Sequence, residues 1–451
     1  MRAMKTLTRR QFLKSAVAAS SAPLLAGPWV HGRAAGGDVD VVVVGAGIAG
    51  LIATETLLRQ GRSVVLLEAA GHVGGRVITD TARFGVPFDR GARWLHHGEI
   101  NPLLAYARAR DFSVYPDPDE EILYIGKRPA SAAEYNAYDS AYNAAQRAIG
   151  KAGAAGKDIS PAAVVPDAGP WTDTVHLNVG PFDMAKDFAH FSCADWWSGE
   201  DGTDWYCRQG YGALVRHRVR DIPVQLNTPV SKINWAGSGI VAVTPRGDIK
   251  AKKCIITVST GVLANRGITF QPPLSDLKQE AFHTISMGVY NHLALQFSKN
   301  FFGIGDDGYL TYKINSRNAP SPRGMSMLVN ISGTNLSFGD VGGEFARELE
   351  KEGVDGGIDF ALGELRRLFG ARVDRHFIKG DATRWGSDPL FYGAYASAEP
   401  GAFQNRRRLR AAVAKRIYFA GEACSESEWA TVNGAYKTGV ATARRVHRSL
   451  G

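Results

Sequence analysis

The stretch that decides the fold is "DVDVVVVGAGIAGLIATETLLRQGRSVVLLEA", residues 38–69. Val39 to Val44 is an apolar run of strand length, and a glycine turn separates it from a helical pattern that continues through Leu58. After Gly61 a second apolar run, Ser63 to Leu67, completes a strand, helix, strand unit of about thirty residues. Gly45, Gly47 and Gly50 are spaced G-x-G-x-x-G across the turn. The first glycine permits the tight turn, the second lets backbone approach a pyrophosphate, and the third lets the helix pack on the strand. The N–H groups of Ile48 and Ala49 open the helix, where phosphate charge is held. Glu68 lies 18 residues past Gly50, at the end of the second strand, and a carboxylate there accepts from both ribose hydroxyls of an adenosine. These residues imply a dinucleotide site on an α/β fold; which dinucleotide is open from this stretch alone.

Outward from it, residues 101–110 and 132–149 have helical periodicity, and 151–181, rich in Gly, Pro and Ala, reads as a long loop. Short alternating segments over 224–258 predict an antiparallel meander whose last member, Cys254 to Val258, is fit for a buried strand. "RIYFAGEA" is another buried strand with a glycine turn, and Asn433 to Leu450 is a closing helix. The expected architecture is α/β with an α+β second part. A Rossmann-like dinucleotide-binding domain is assembled from 37–100, 206–268 and 400–451, and an inserted substrate domain of mixed sheet plus helices comprises 101–205 and 269–399.

Residues 1–36 read differently. Arg2, Lys5, Arg9, Arg10 and Lys14 precede an apolar segment broken by serines and prolines, shorter than the ~20 residues a spanning helix needs, so no stable membrane anchor is expected. "TRRQFLK", residues 8–14, resembles a twin-arginine (Tat) export signal, which implies passage through the Tat translocase and a periplasmic location. Six of the 53 basic residues and none of the 44 acidic ones fall before Asp38. The remainder is near charge balance, which argues against nucleic acid as a partner. Cys193, Cys207, Cys254 and Cys424 show no metal-ligand spacing and are read as unpaired, and no metal is expected.

The residues after Glu68 decide between dinucleotides. "EAAGHVGGRV" adds Gly74, Gly75 and Arg76, a second close backbone approach backed by a guanidinium suited to phosphate. With "FDRGARWLH" (88–96), "RQGYGALV" (208–215), "WGSDPLFYGAYASAEPG" (385–401) and "IYFAGEACSESEWATVNGAYKTGVATA" (417–443), the chain resembles the flavin-containing amine oxidases, which include monoamine oxidases, polyamine oxidases and lysine-specific histone demethylases. The resemblance implies FAD. It places the contacts on Gly45, Gly47, Ile48, Ala49, Gly50, Glu68, Gly74, Gly75, Arg76, Ala92, Arg93, Trp94, Val230, Trp385, Gly421, Glu422, Thr431 and Val432. Ala394 stands where monoamine oxidases attach flavin through a cysteine, so the FAD is expected to be non-covalent.

The resemblance also implies the chemistry: a hydride moves from the carbon beside an amine nitrogen to flavin N5, and the resulting imine hydrolyses. Neutralising an alkyl ammonium with a pKa like that of lysine costs about 4 kcal/mol at pH 7. His96 matches the polyamine oxidase position that faces the substrate amine, and an imidazole exchanges protons near neutrality; His97 is expected to point elsewhere. Tyr395 matches one wall of an aromatic pair flanking the substrate nitrogen. The other falls on Glu428, with Trp429 beside it, which leaves two readings: Glu428 pairs with a cationic substrate, or Trp429 turns inward and Glu428 is solvated. His292, in "GVYNHLALQF", stands where relatives carry a lysine thought to hold a water at flavin N5. A histidine neutral near pH 7 predicts slower reoxidation by O2, with a periplasmic electron carrier as the other acceptor.

Other features take plainer readings. Tyr135, Tyr138 and Tyr142 are read as packing rather than a binding stripe, Asp195, Glu200, Asp201 and Asp204 as a solvated acidic loop rather than a polyamine entrance, and "RRRLR" (406–410) as a surface face. The substrate class is a small-molecule aliphatic amine, with a polyamine as one choice. The alternatives are an L-amino-acid oxidase or tryptophan 2-monooxygenase, which needs an arginine such as Arg93 or Arg384 for the substrate carboxylate, an isoprenoid or porphyrin desaturase, and a flavin-binding subunit without turnover.

Overall fold

A computed structural model describes residues 38–316 and 319–451. The expectations for residues 1–36 lie outside these. Strand Val39–Val44 is parallel both to Val64–Leu67 on one side and to Ile249–Ile256 on the other. Because both faces of this strand are covered, Val41, Val42 and Val43 are fully buried and the run shows no polar alternation. The sheet continues through Ile240–Val243 and Lys232–Asn234, the expected meander, to Thr269–Gln271. That last strand lies just past the expected segment end at 268. Ile417–Phe419 joins the far half of Ile249–Ile256, so segments nearly four hundred residues apart share one sheet.

A second seven-stranded sheet has the order 377–382, 290–297, 336–342, 326–329, 308–312, 121–125, 128–129. Its strands alternate. In Tyr290–Phe297, Leu293, Leu295 and Phe297 pack in one apolar cluster with Leu362 and Leu365 of helix Gly353–Phe369, while Tyr290 and His292 line the cavity on the other face. The first helix, Ile48–Arg59, packs on the closing helix Val432–Ser449.

The stretch 151–181 is not an open loop. The helix Ala132–Ala154 runs five residues past the expected end, and Thr172–Leu177 forms a further helix. Trp171, Val175 and Val179 are buried with Tyr138 and Ile149, so apolar burial outweighs the local Gly and Pro content. All four cysteines are buried and unpaired. Among the described residues no helix is long and apolar enough to cross a membrane.

Candidate active site

A cavity of about 840 Å³ lies between the two sheets. One wall comes from the carboxyl ends of the parallel strands. Gly45, at φ +101°, turns the chain out of the first strand, and a Cβ on Gly50 would lie 1.9 Å from the Gly45 carbonyl oxygen. A Cβ on Gly47 would meet nothing within 4 Å, which leaves its cavity side open to a ligand. No side chain caps the helix that starts at Ile48, and its first turn carries no acid, so its N–H groups are suited to an anion. Glu68 is held by Ala46 N–H (2.6 Å) and Ala70 N–H (2.8 Å), one to each oxygen, and lines the cavity. Arg76 donates to the Ala394 carbonyl (2.6 Å) and pairs with Glu422 (3.0 Å). Glu422 also accepts from Ala430 N–H (3.0 Å), fixing the approach to the closing helix, which Thr431 caps. Of the expected cofactor contacts, all but Gly50 line the cavity; Gly50 acts from behind, by close packing.

The other wall is made of side chains. His292 is buried, with Nδ1 2.5 Å from Asp340 Oδ1 and Nε2 3.0 Å from the Gly91 carbonyl. Both partners accept, so both ring nitrogens donate. Burial works against the charged ring, but the Asp340 carboxylate outweighs it and raises the pKa above the ordinary histidine value. Tyr290 and Tyr395 lie side by side with ring centroids 5.9 Å apart. The Tyr395 hydroxyl is 3.3 Å from the carbonyls of Phe182 and Asp183. Trp429 is locked from behind: Nε1 donates to Ser198 Oγ (3.1 Å), and the Arg406 guanidinium lies 5.1 Å from the ring centroid. Trp385 donates to the Arg90 carbonyl (3.0 Å), and Trp94 to the Tyr309 hydroxyl (3.0 Å).

The chain matches the family model for flavin containing amine oxidoreductases over residues 177–447 and a model for NAD(P)-binding Rossmann-like domains over 43–109. The chain belongs to the flavin containing amine oxidoreductases. It is 26% identical to polyamine oxidase 4 of Oryza sativa subsp. japonica over 447 residues, covering 91% of this chain and 89% of that protein. It is 28% identical to lysine-specific histone demethylase 1 homolog 2 of Arabidopsis thaliana over 443 residues, covering 91% of this chain and 59% of the relative. Among solved structures, a double mutant from a redesign of cofactor binding in putrescine oxidase superposes with a TM-score of 0.75 at 21% identity, covering 91% of this chain and 99% of that one. The cofactor of this amine oxidoreductase is FAD, and the glycine cradle, the uncapped helix start and Glu68 fit it.

The structure corrects several expectations for this flavoenzyme. His97 does not point away. It is buried on the cavity, with Nδ1 3.3 Å from Glu428 and Nε2 2.7 Å from the Glu200 carbonyl. Burial opposes its charge, but Glu428 outweighs burial and raises its pKa. Glu428 is neither solvated nor a free substrate anchor. Burial would raise its pKa, yet His97 and Lys437 hold it below the usual carboxylate range, and Asn433 donates to it as well. Glu428 and Trp429 both line the cavity, so the choice between them falls away.

His292 is neither neutral nor able to hold a water through a free nitrogen, because both nitrogens bond to protein. Asp195 is fully buried, paired through both oxygens with Arg406 (2.7 and 2.6 Å), which takes Arg406 off the supposed surface face. Glu200, Asp201 and Asp204 do line the cavity, as do Tyr138 and Tyr142. Arg93 aims its guanidinium at Asp307 (2.6 Å) and over the Tyr206 ring, and Arg384 is exposed away from the cavity. Neither is placed to hold a substrate carboxylate.

His96 remains as expected on the cavity. It is half exposed, its Nδ1 2.9 Å from Asp204, and its Nε2 lies outside that bond. Residues that sequence reasoning passed over include Glu99, Asp117, Asp119 and Glu121. Their signal was weak: scattered acids on short strands and turns, which only the sheet order gathers.

Proposed function

We propose that the chain oxidises an aliphatic polyamine, with FAD held non-covalently. The observation that carries this is the charge of the cavity beyond the glycine cradle. Glu99, Asp117, Asp119, Glu121, Glu200, Asp201 and Asp204 line it, whereas the lining arginines, Arg76 and Arg93, are bonded to Glu422 and Asp307. Such a wall favours a substrate with more than one positive charge. None of the four cysteines lines the cavity, and Ala394 does, so no thiol is at hand for a covalent link.

Bound FAD supplies the acceptor for the hydride on the carbon beside nitrogen. Residues 45–50, Glu68, Gly74 to Arg76, residues 92–94, Val230, Gly421, Glu422, Thr431 and Val432 hold it, with Trp385 beside it. Tyr395, Tyr290 and Trp429 form apolar walls that keep water from the amine. His97 already carries both protons, so the proton the amine must lose goes to His96 Nε2, while Asp204 orients that ring through Nδ1. His292 and Asp340 form a closed, nearly neutral pair. On this reading the wall near His292 gives O2 less help than a free cation would, and a periplasmic carrier is the second acceptor to consider. The twin-arginine segment at residues 8–14 supports a periplasmic location, with export by the Tat route after folding around FAD.

Anaerobic mixing with polyamines, monoamines and L-amino acids tests this. Polyamines are expected to bleach the flavin fastest and L-amino acids not at all; bleaching by an L-amino acid alone would overturn the reading. Acid precipitation is expected to release the flavin into the supernatant.

A further inference from the structure

Glu121 is a carboxyl of the cavity whose charged neighbours are all anionic. It begins the strand Glu121–Ile125, opposite Tyr309 in the parallel register with Gly308–Tyr312. Leu123, two residues on, packs in one cluster with Tyr138. Glu121 thus takes the face toward helix Ala132–Ala154, where Tyr138 and Tyr142 line the same cavity with ring centroids 5.9 Å apart. Tyr138 is fixed by Asn178, whose amide donates to its hydroxyl (2.8 Å). Thr311 hydrogen-bonds Glu121, and the charged groups acting on it are Asp139 and Asp119, both anionic. Tyr135 and Tyr138 also feel its charge. Burial, and then the two acids, push the Glu121 carboxyl up to about 7.

A carboxylate in this setting lacks only a cation. Two tyrosine rings beside it add faces that attract an ammonium. The position along the sheet gives the length of the ligand. His292 lies on strand 290–297, and four strand steps separate it from strand 121–125. At ordinary strand spacing that is about 19 Å. A four-carbon diamine does not reach across it; an extended tetraamine, with the hydrogen bond at its end, does.

We propose that Glu121, flanked by Tyr138 and Tyr142, binds the distal ammonium of a long polyamine and sets the preference of the enzyme for such substrates. This rests on the polyamine reading of the same cavity. Steady-state kinetics of the FAD-loaded enzyme test it with spermine, putrescine and a linear monoamine of spermine's length. In E121Q, which keeps shape and loses charge, the KM for spermine is expected to rise about tenfold or more with kcat little changed, since a charge-assisted bond is lost. The KM for the monoamine should move far less. E121D, which keeps the charge, should retain most of the spermine preference, and in the wild type the KM for spermine should fall as pH rises through 7, a fall absent from E121Q. Equal changes for spermine and the monoamine, or no change, would overturn the proposal while leaving amine oxidation standing. Failure of every amine to bleach the wild-type flavin would instead overturn the reading beneath it.

Discussion

The two walls of the cavity are built by different means. The wall on the first sheet is backbone: a glycine at φ +101°, an uncapped helix start and a carboxylate held by two N–H groups, all within residues 45–70. The opposite wall is side chains joined over long separations: His292 with Asp340 on the second sheet, 48 residues apart, and His97 with Glu428 from two loops, 331 residues apart. The first wall is shaped for the FAD cofactor. The second balances His292 with Asp340 and His97 with Glu428, and leaves a row of acids, Glu121 among them, facing the cavity.

The largest loss is expected at the backbone wall. Gly50→Ala places a methyl 1.9 Å from the Gly45 carbonyl, so strand and helix must part, at more than about 3 kcal/mol. The purified variant is expected to lack the visible flavin absorption, and full flavin content would show that the turn adapts.

On the side-chain wall, His292→Ala leaves Asp340 buried beside nothing positive, with an expected loss of about 3–5 kcal/mol in urea unfolding. His292→Ala with Asp340→Ala should recover part of it. The sign with pH follows from the raised pKa of His292. Its stabilisation is full below the ordinary histidine value of about 6.5 and fades as pH rises through the raised one. The deficit of His292→Ala should therefore shrink toward alkaline pH, and a growing deficit would contradict the assignment of charge.

The smallest effect separates neighbouring histidines. His97→Asn removes a buried ring from Glu428 and should lower stability by about 1–3 kcal/mol, whereas His96→Asn removes only a half-exposed bond to Asp204, worth less than about 1 kcal/mol. His96→Asn should instead lower kcat/KM, which the rate of anaerobic flavin reduction reads out. Equal stability losses would erase the distinction between the two.

Much of the first wall is legible in the sequence, and the misses on the second have a common cause. The glycine spacing, Glu68, Arg76 and the C-terminal motif lead to residues that line the first wall, and the glycines and Glu68 do so through nearby backbone. His96, Tyr395 and Trp429 are reached through family motifs. The roles of His97, Glu428 and His292 escape such motifs, which tell which residue is present, whereas its charge depends on partners elsewhere in the chain. Asp195 and Arg406 fall to the surface in a sequence reading because charged residues usually lie there; a bidentate pair across 211 residues makes burial tolerable.

Steric limits on a few adjacent residues are enough to dictate the parallel strand unit, the glycine turn and the dinucleotide carboxylate, and these are present in the amino-acid order alone. Which acids face the cavity, which histidines hold two protons and which carboxyl lacks a cation depend on the folded arrangement. Coulomb energy varies with distance and burial, and the second sheet brings together groups that the chain keeps far apart.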